Sequence, residues 1–400
     1  MGKEVTSNIS RAGRFDDAMR HRRRHDRFFR FARRFIVPFI RRKINIESIP
    51  APPVDGPFLL LANHNLNLDP VIIHLSFDSL LYFVASEHVL RRGFGAWFLK
   101  RYFAPIPRLK GSTDISTVKG VLSRLKHDVG VCIFAEGNRS FNGVTAPIPV
   151  SIAKLAKICR VPVLTYRFEG GYFTAPRWSI HMRRGKMKGY VVNVYEPAEL
   201  ATLSVEELHQ AICRDLDEDA YARQAETPIP FKGKALAEAL ETTLYHCPLC
   251  AAYDALFSKG NTLRCRCGLE VTFDLYGRLS GGPFTTITEW DNAQQDALAL
   301  MIQRVDRQQQ IFSDRAVTLK EIFRDQREKT RQKKVELSLF ADHFECGTYR
   351  FNLHTISDMA MAGRNKVIFT YGEQFYELSS TPHFCGKKYY DAYQLLRKQV

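Results

Sequence analysis

The stretch Ala62–Pro70, ANHNLNLDP, sets a histidine and an aspartate five positions apart, directly after the apolar run PFLLLA. A histidine titrating near pH 6.5 accepts a proton at neutral pH, and a buried carboxylate on its other ring nitrogen would fix the tautomer and stabilise the imidazolium. His64 and Asp69 are therefore a candidate acid–base pair, with His64 as a general base for a hydroxyl. A purely structural alternative stands beside this: aspartate before proline, ahead of VIIHLSF, also suits the start of a helix. The isolated pair does not decide between the two.

A second segment, EGNRSFNG (136–143), follows the apolar run VGVCIFA. An arginine in a glycine-containing loop suits a phosphate group, and a glutamate can orient that arginine or hold a substrate hydroxyl. Glu136, Gly137 and Arg139 are candidate substrate-binding residues, with a plain turn after a strand as the alternative. Further on, CPLC (247–250) and RCRCG (264–268) place Cys247, Cys250, Cys265 and Cys267 on either side of fourteen residues that would fit a hairpin. Two close pairs of thiolates can meet at one tetrahedral zinc, whose bonding supplies folding energy that so short a segment cannot draw from a core. The C-x-C pair is one residue tighter than the usual C-x-x-C. Four thiolates leave no open position for water, so the zinc expected here is structural; reduced unpaired cysteines and a redox pair are the other readings. No G-x-S-x-G elbow and no G-x4-G-K-[ST] loop occurs, which argues against a serine hydrolase and a P-loop enzyme.

These residues need a scaffold. PFLLLA (57–62), LLYFVA (80–85), VGVCIFA (129–135), VPVLTYRF (161–168) and GYVVNVY (189–195) read as buried strands. Between them DPVIIHLSF, STVKGVLSRLKHD and PVSIAKLAKICR read as helices, the second with Ser116 or Thr117 as its N-cap. An α/β domain over 44–230 follows, a mixed sheet flanked by helices with active groups in loops after the strands. SVEELHQAICRDLDEDAYARQ closes it as one helix opening on a Ser204–Glu207 capping box, and TPIP marks the boundary. A zinc ribbon is expected over 240–285. Residues 286–400 read as a helical polar linker to about Lys334, four or five antiparallel strands and a closing helix KKYYDAYQLLRKQV; this β-rich pattern is PH-like.

Charge is unevenly distributed. Residues 1–43 hold 14 Lys and Arg against 4 Asp and Glu, so they carry +10 of a net +16. Phe28, Phe31, Phe35 and Phe39 recur there at helical spacing among arginines until Pro38 interrupts the helix. A basic amphipathic helix of this kind lies in the interface of an anionic membrane; docking of the phenylalanines on the chain's own domain is the alternative. No run reaches the roughly 18 apolar residues of a membrane span, and the start lacks the pattern of a secretion signal. Nine cysteines, an odd number, fit a reducing compartment. The expected location is cytoplasmic, peripherally bound to the cytoplasmic membrane face.

Taken together, these blocks resemble the glycerolipid acyltransferases typified by 1-acyl-sn-glycerol-3-phosphate acyltransferase. The resemblance covers about residues 44–224. Asn63-His64 through Asp69 matches the family's N-H-x4-D block and implies His64 as base and Asp69 as its partner. FAPIPRLKGS (103–112) matches a second block and implies that Arg108 contacts the acceptor's phosphate. FAEGNRS matches F-P-E-G-T-R-S at Glu136, Gly137 and Arg139 and departs at Ala135 and Asn138. VPVLTYRF matches a V-P-V strand, with Thr165 where a second proline is common. The resemblance implies acyl transfer from acyl-CoA or acyl-carrier protein to a lysophospholipid, with 1-acylglycerol 3-phosphate giving phosphatidic acid. The thioester donor apart, it implies no redox or nucleotide cofactor. Arg177, Arg183, Arg184 and Lys186 could meet headgroups or form a solvated basic face. Nucleic acid is not an expected partner. A nucleic-acid-binding zinc-ribbon protein and an inactive lipid-binding scaffold remain the competing classes.

Overall fold

The computed structural model describes residues 20–86, 90, 94–108, 115–306, 308–323 and 328–397. Residues 1–19 of the basic segment and 109–112 of the second block lie outside them. The apolar runs become strands: β1 (Ile46–Ser48), β2 (Leu59–Ala62), β3 (Leu81–Ser86), β4 (Ile106–Arg108), β5 (Gly130–Phe134), β6 (Val163–Glu169) and β7 (Met187–Tyr195). Among the described residues they form one sheet in the order β1-β7-β6-β2-β5-β3-β4. The sheet is mixed, because β6 and β7 pair antiparallel while β2 pairs parallel with both β5 and β6.

β2 lies near the centre and is buried along its whole length. Successive side chains of a strand point to opposite faces, so its apolar run feeds two cores. Leu59 and Leu61 pack with Val121, Leu125 and Ala153, whereas Leu60 and Ala62 pack with Ile44, Ile72 and Tyr166. Burying each leucine contributes about 1.5–3 kcal/mol, which fixes the register of the strand that ends at His64.

The N-terminal helix spans Arg22–Ile44 and continues through Pro38. Pro38 is on the exposed side, as is Arg34 one turn earlier, so water can take the carbonyl that the missing N–H leaves. Val37, Phe29 and Ile44 dock the helix on the sheet, while Phe31, Phe35 and Phe39 are exposed. The helix over Ile115–Lys126 begins before Ser116 and Thr117, so neither is its N-cap. The Ser204–Glu207 capping box forms, but the helix stops at Leu216 and a second begins at Ala220. Asp219 causes the break by accepting the amides of Tyr221 and Ala222.

β8 (Leu256–Lys259), β9 (Thr262–Cys265), β10 (Glu270–Phe273) and β11 (Leu279–Ser280) form a small antiparallel sheet, with the β8–β9 hairpin between the cysteine pairs. Among the described residues, the polar stretch 286–334 is helical only over Ile287–Arg304. The remainder enters β12 (Phe312–Ile322) and β13 (Glu328–Leu339), a long hairpin whose period-two alternation is masked by its Lys and Arg residues. β14 (His343–Cys346), β15 (Tyr349–Asn352), β16 (Ile356–Ala362), β17 (Lys366–Tyr371) and β18 (Gln374–Ser379) follow, more strands than the sequence pattern implied. All pairs in this sheet are antiparallel, in the order β15-β14-β13-β12-β18-β17-β16. The closing helix Gly386–Leu396 packs Tyr389, Ala392 and Tyr393 into its core. Among the described residues, no helix is long and apolar enough to cross a membrane.

Candidate active site

β2, β5 and β4 all end at the same edge of the sheet, where an open parallel sheet presents its loops. Asn63, the first residue past β2, extends the ladder with its side chain. Its amide donates to the Phe168 carbonyl at 2.9 Å and its oxygen accepts the Phe168 amide at 2.7 Å. The turn into His64 is thus fastened to β6. Nδ1 of His64 donates to Oδ2 of Asp69 at 2.9 Å. The same oxygen accepts the amides of Asn65 at 2.7 Å and Leu66 at 2.9 Å. Asp69 is fully buried, and its Oδ1 has no partner among the described residues.

Asp69 is also the first residue of the short helix Asp69–Ile73, with Pro70 in its first turn. Its carboxylate faces backward onto the His64 loop rather than forward as an N-cap. The helix-start and pair readings of this aspartate are both met by one residue, its backbone serving the first and its side chain the second.

The His64 ring is 21% exposed and stacks on Phe134, with centroids 4.3 Å apart. Burial pulls its pKa below the ordinary value, the Asp69 hydrogen bond and charge oppose that, and Arg139 and Arg177 add to the depression. A neutral ring with Nδ1–H on Asp69 leaves the Nε2 lone pair as a proton acceptor.

Glu136 follows β5 and reaches back to this loop. Oε1 accepts the backbone amide of His64 at 2.7 Å and Oε2 that of Ala146 at 2.8 Å. Burial pushes its pKa up to about 8, against the pull of those two amides. Both oxygens hold backbone, a positioning contact that the sequence did not indicate. Gly137 has φ +70°, and a β-carbon there would lie 3.2 Å from Nη1 of Arg108. The end of β4 and the loop after β5 therefore meet, bringing Arg108 beside Gly137. Arg139 is half-buried; burial lowers its pKa and Asp69 opposes the change. His64, Asp69, Arg108, Glu136, Gly137 and Arg139 thus surround one end of the sheet, the arrangement a hydroxyl acceptor with an anionic group would require.

The residues 169–186 do not form a solvated basic face. Arg177 and Arg183 are buried, with pKa values lowered by burial to about 9 and about 10. Arg183 lies over the rings of Trp178 and Phe273, while Arg184 and Lys186 are exposed. Arg183 packs into the core under the small sheet, where its guanidinium donates to the Leu236 carbonyl at 2.5 Å.

The four cysteines are brought together as the spacing predicts. One sulfur from each lies within 4.8 Å of all the others, and the Cys247–Cys267 and Cys250–Cys265 sulfurs are 3.7 Å apart. Tetrahedral zinc with bonds of about 2.3 Å separates its sulfurs by about 3.8 Å. This set fits a closed metal site.

Residues 41–169 match the family model described as Acyltransferase. Among solved structures, the chain is similar to the 1-acyl-sn-glycerophosphate (LPA) acyltransferase, PlsC, of Thermotoga maritima. The identity is 19% and the TM-score 0.40, over 56% of this chain and 98% of that one. None of the curated proteins compared with it matches. Residues 41–169, the segment that matches the Acyltransferase model, hold the His64–Asp69 pair, Arg108 and the Glu136–Arg139 loop on one sheet edge.

Proposed function

We propose that this chain is a peripheral membrane O-acyltransferase that esterifies the free hydroxyl of a lysophospholipid, with 1-acylglycerol 3-phosphate as acceptor and phosphatidic acid as product. The observation that carries the reading is the His64–Asp69 hydrogen bond beside two arginines, Arg108 and Arg139, inside the acyltransferase segment. His64 Nε2 removes the hydroxyl proton, the oxygen forms a bond to the thioester carbonyl carbon, and the carbon–sulfur bond breaks. The protonated ring returns its proton to the departing thiolate. Asp69 stabilises the imidazolium between those events, and Arg108 with Arg139 holds the acceptor's phosphate. General-base help supplies about 10²–10⁴ in rate, so positioning supplies much of the rest. The donor is acyl-CoA or acyl-carrier protein.

Membrane attachment is supported by the helix Arg22–Ile44. Phe31, Phe35 and Phe39 are exposed on it, and Phe94 and Trp97 are exposed on the helix Phe94–Tyr102 that packs beside Phe28. Exposed Arg23, Arg27, Arg30 and Arg34 flank this apolar patch. Each contributes about 1 kcal/mol near an anionic surface, which favours the cytoplasmic leaflet. Zinc on Cys247, Cys250, Cys265 and Cys267 would cross-link the small sheet and supply folding energy, with no part in the acyl transfer. The strand order and closing helix of the C-terminal sheet support a PH-like reading.

The test is a panel of lysolipids offered to the full chain with acyl-CoA and with acyl-carrier protein, products being identified by mass. Phosphatidic acid is expected from 1-acylglycerol 3-phosphate. Failure to acylate any lysophospholipid with either donor would overturn the reading.

A further inference from the structure

Three residues of the loop after β5 are held by parts of the chain that lie outside the acyltransferase segment. The carbonyl of Arg139 accepts Nη1 of Arg177 at 3.3 Å. The same guanidinium donates to the carbonyls of Met361 at 2.9 Å and Gly363 at 3.0 Å, at the turn between β16 and β17. It also lies 4.4 Å over the ring of Phe141. Phe141 in turn stacks with Tyr390 of the closing helix at 6.0 Å, and Lys387 lies 5.5 Å from its ring. Asn142 is gripped twice: its carbonyl accepts Thr288 Oγ1 at 2.9 Å and its amide donates to Asp291 Oδ2 at 3.1 Å.

Behind Asn142 stands a buried ionic chain. Asp291 accepts Nζ of Lys387 at 2.7 Å, and Lys387 also pairs with Asp391, which accepts the Tyr245 hydroxyl at 2.8 Å. Burial alone would lower the Lys387 pKa, but the two carboxylates outweigh it and hold the ammonium above its ordinary value. Desolvating such charges costs more than an apolar contact of the same size, so stability alone does not account for them. Directional bonds fix a geometry that apolar packing leaves looser. The geometry fixed here is that of the loop carrying Arg139.

We propose that Arg177 and Asn142 are positioning residues for acceptor binding, through which the C-terminal sheet and its closing helix hold the Arg139 loop in its phosphate-accepting shape. The inference rests on the acylation reading above. Arg177 acts on the Arg139 carbonyl, and Asn142 acts three residues further on, so the loop is held on both sides of Ser140. His64 is fastened separately, through Glu136 and Asp69. Loosening the Arg139 loop should therefore weaken acceptor binding and leave the base in place.

The experiment uses the full chain with Asn142→Ala and Arg177→Lys. Lysine keeps the charge but offers one nitrogen where the guanidinium sets three separate nitrogens on three carbonyls; Asn142→Ala removes side-chain bonds from a half-buried position and decides the matter if Arg177→Lys fails to fold. Turnover of 1-acylglycerol 3-phosphate, binding of glycerol 3-phosphate by calorimetry, the pH profile of kcat and thermal melting are measured. We expect the acceptor KM to rise about 5–50-fold with kcat within about threefold. Glycerol 3-phosphate binding should weaken in parallel, while the thioester KM, the pH profile and the melting temperature stay near wild type. A folded Asn142→Ala protein with unchanged acceptor KM and unchanged glycerol 3-phosphate binding overturns the proposal while the acylation reading stands. An unmutated chain that neither binds glycerol 3-phosphate nor acylates a phosphorylated acceptor overturns both.

Discussion

The backbone amide of His64 is held at 2.7 Å by the carboxyl group of Glu136, seventy-two residues further along the chain. With Oε2 on the Ala146 amide, Glu136 ties the first and third family blocks into one rigid unit. Glu136→Gln replaces one acceptor oxygen with a donor facing a buried N–H. That should cost about 1–3 kcal/mol of stability and lower kcat by misplacing His64. Urea denaturation together with kinetics checks this. An unchanged denaturation midpoint with only KM raised would instead make Glu136 a substrate contact.

His64→Ala should abolish thioester-dependent acylation and leave the fold intact, as read by circular dichroism and product mass. In the native protein the His64 pKa lies below its ordinary value, so the ring stays basic to lower pH. The acid limb of kcat/KM should therefore fall below pH 6.5. Asp69→Asn removes the hydrogen bond and charge that raise the His64 pKa, and should move that limb lower still. It should also cut kcat by roughly 10²–10⁴. A limb moving upward in Asp69→Asn would contradict the assignment of the pair.

Gly137→Ala tests the seam between the second and third blocks. Its φ of +70° strains any other residue, and the added methyl would stand 3.2 Å from Arg108 Nη1. A loss of about 1–2 kcal/mol is expected from the backbone alone. Displacement of Arg108 should raise the KM for a phosphorylated acceptor more than that for the thioester. Steady-state kinetics with each substrate varied separates the two.

His74 predicts how stability depends on pH. It is buried between Phe29 and Phe83, and burial lowers its pKa to about 4, against a hydrogen bond to the Pro70 backbone. Because the unfolded ring titrates near 6.5, its contribution is fully present above that pH and is lost as pH falls toward about 4. Denaturant midpoints measured between pH 7 and pH 5 should drop, and His74→Phe should flatten the dependence. An equally steep fall in that variant would place the titrating group elsewhere.

Metal analysis of purified protein should find about one zinc per chain. Cys265→Ser should lose that metal and destabilise the small sheet, because the remaining three sulfurs cannot close a tetrahedral site. Acyl transfer with His64 as the base needs no zinc in the proposed mechanism. Full metal binding by Cys265→Ser would remove that residue from the set.

The His64–Asp69 contact was legible because both partners lie in one loop, and the cysteine centre because its hairpin is local. The helical fate of 205–226 was half legible: Ser204 announces its capping box, but Asp219, a second cap, sits among the acidic residues of DLDED with nothing to set it apart. β12 and β13 were hidden by charge, since an exposed hairpin can carry Lys and Arg on most outward positions and still bury Val317, Leu319, Leu337 and Leu339. What Glu136 and Arg177 do was out of reach. Glu136 binds amides at 64 and 146, and Arg177 binds carbonyls 184 and 186 residues away, backbone groups that every sequence possesses.

The contact between Phe141 and Tyr390 also sets a timetable for biosynthesis. Domains fold largely as they leave the ribosome, N-terminal part first, at about 5–20 residues per second. The sheet that carries His64 can assemble early, yet the loop bearing Arg139 gains its last supports only when the helix Gly386–Leu396 emerges. For that interval, the nascent chain holds the His64–Asp69 pair complete beside an Arg139 loop that still lacks its outer supports.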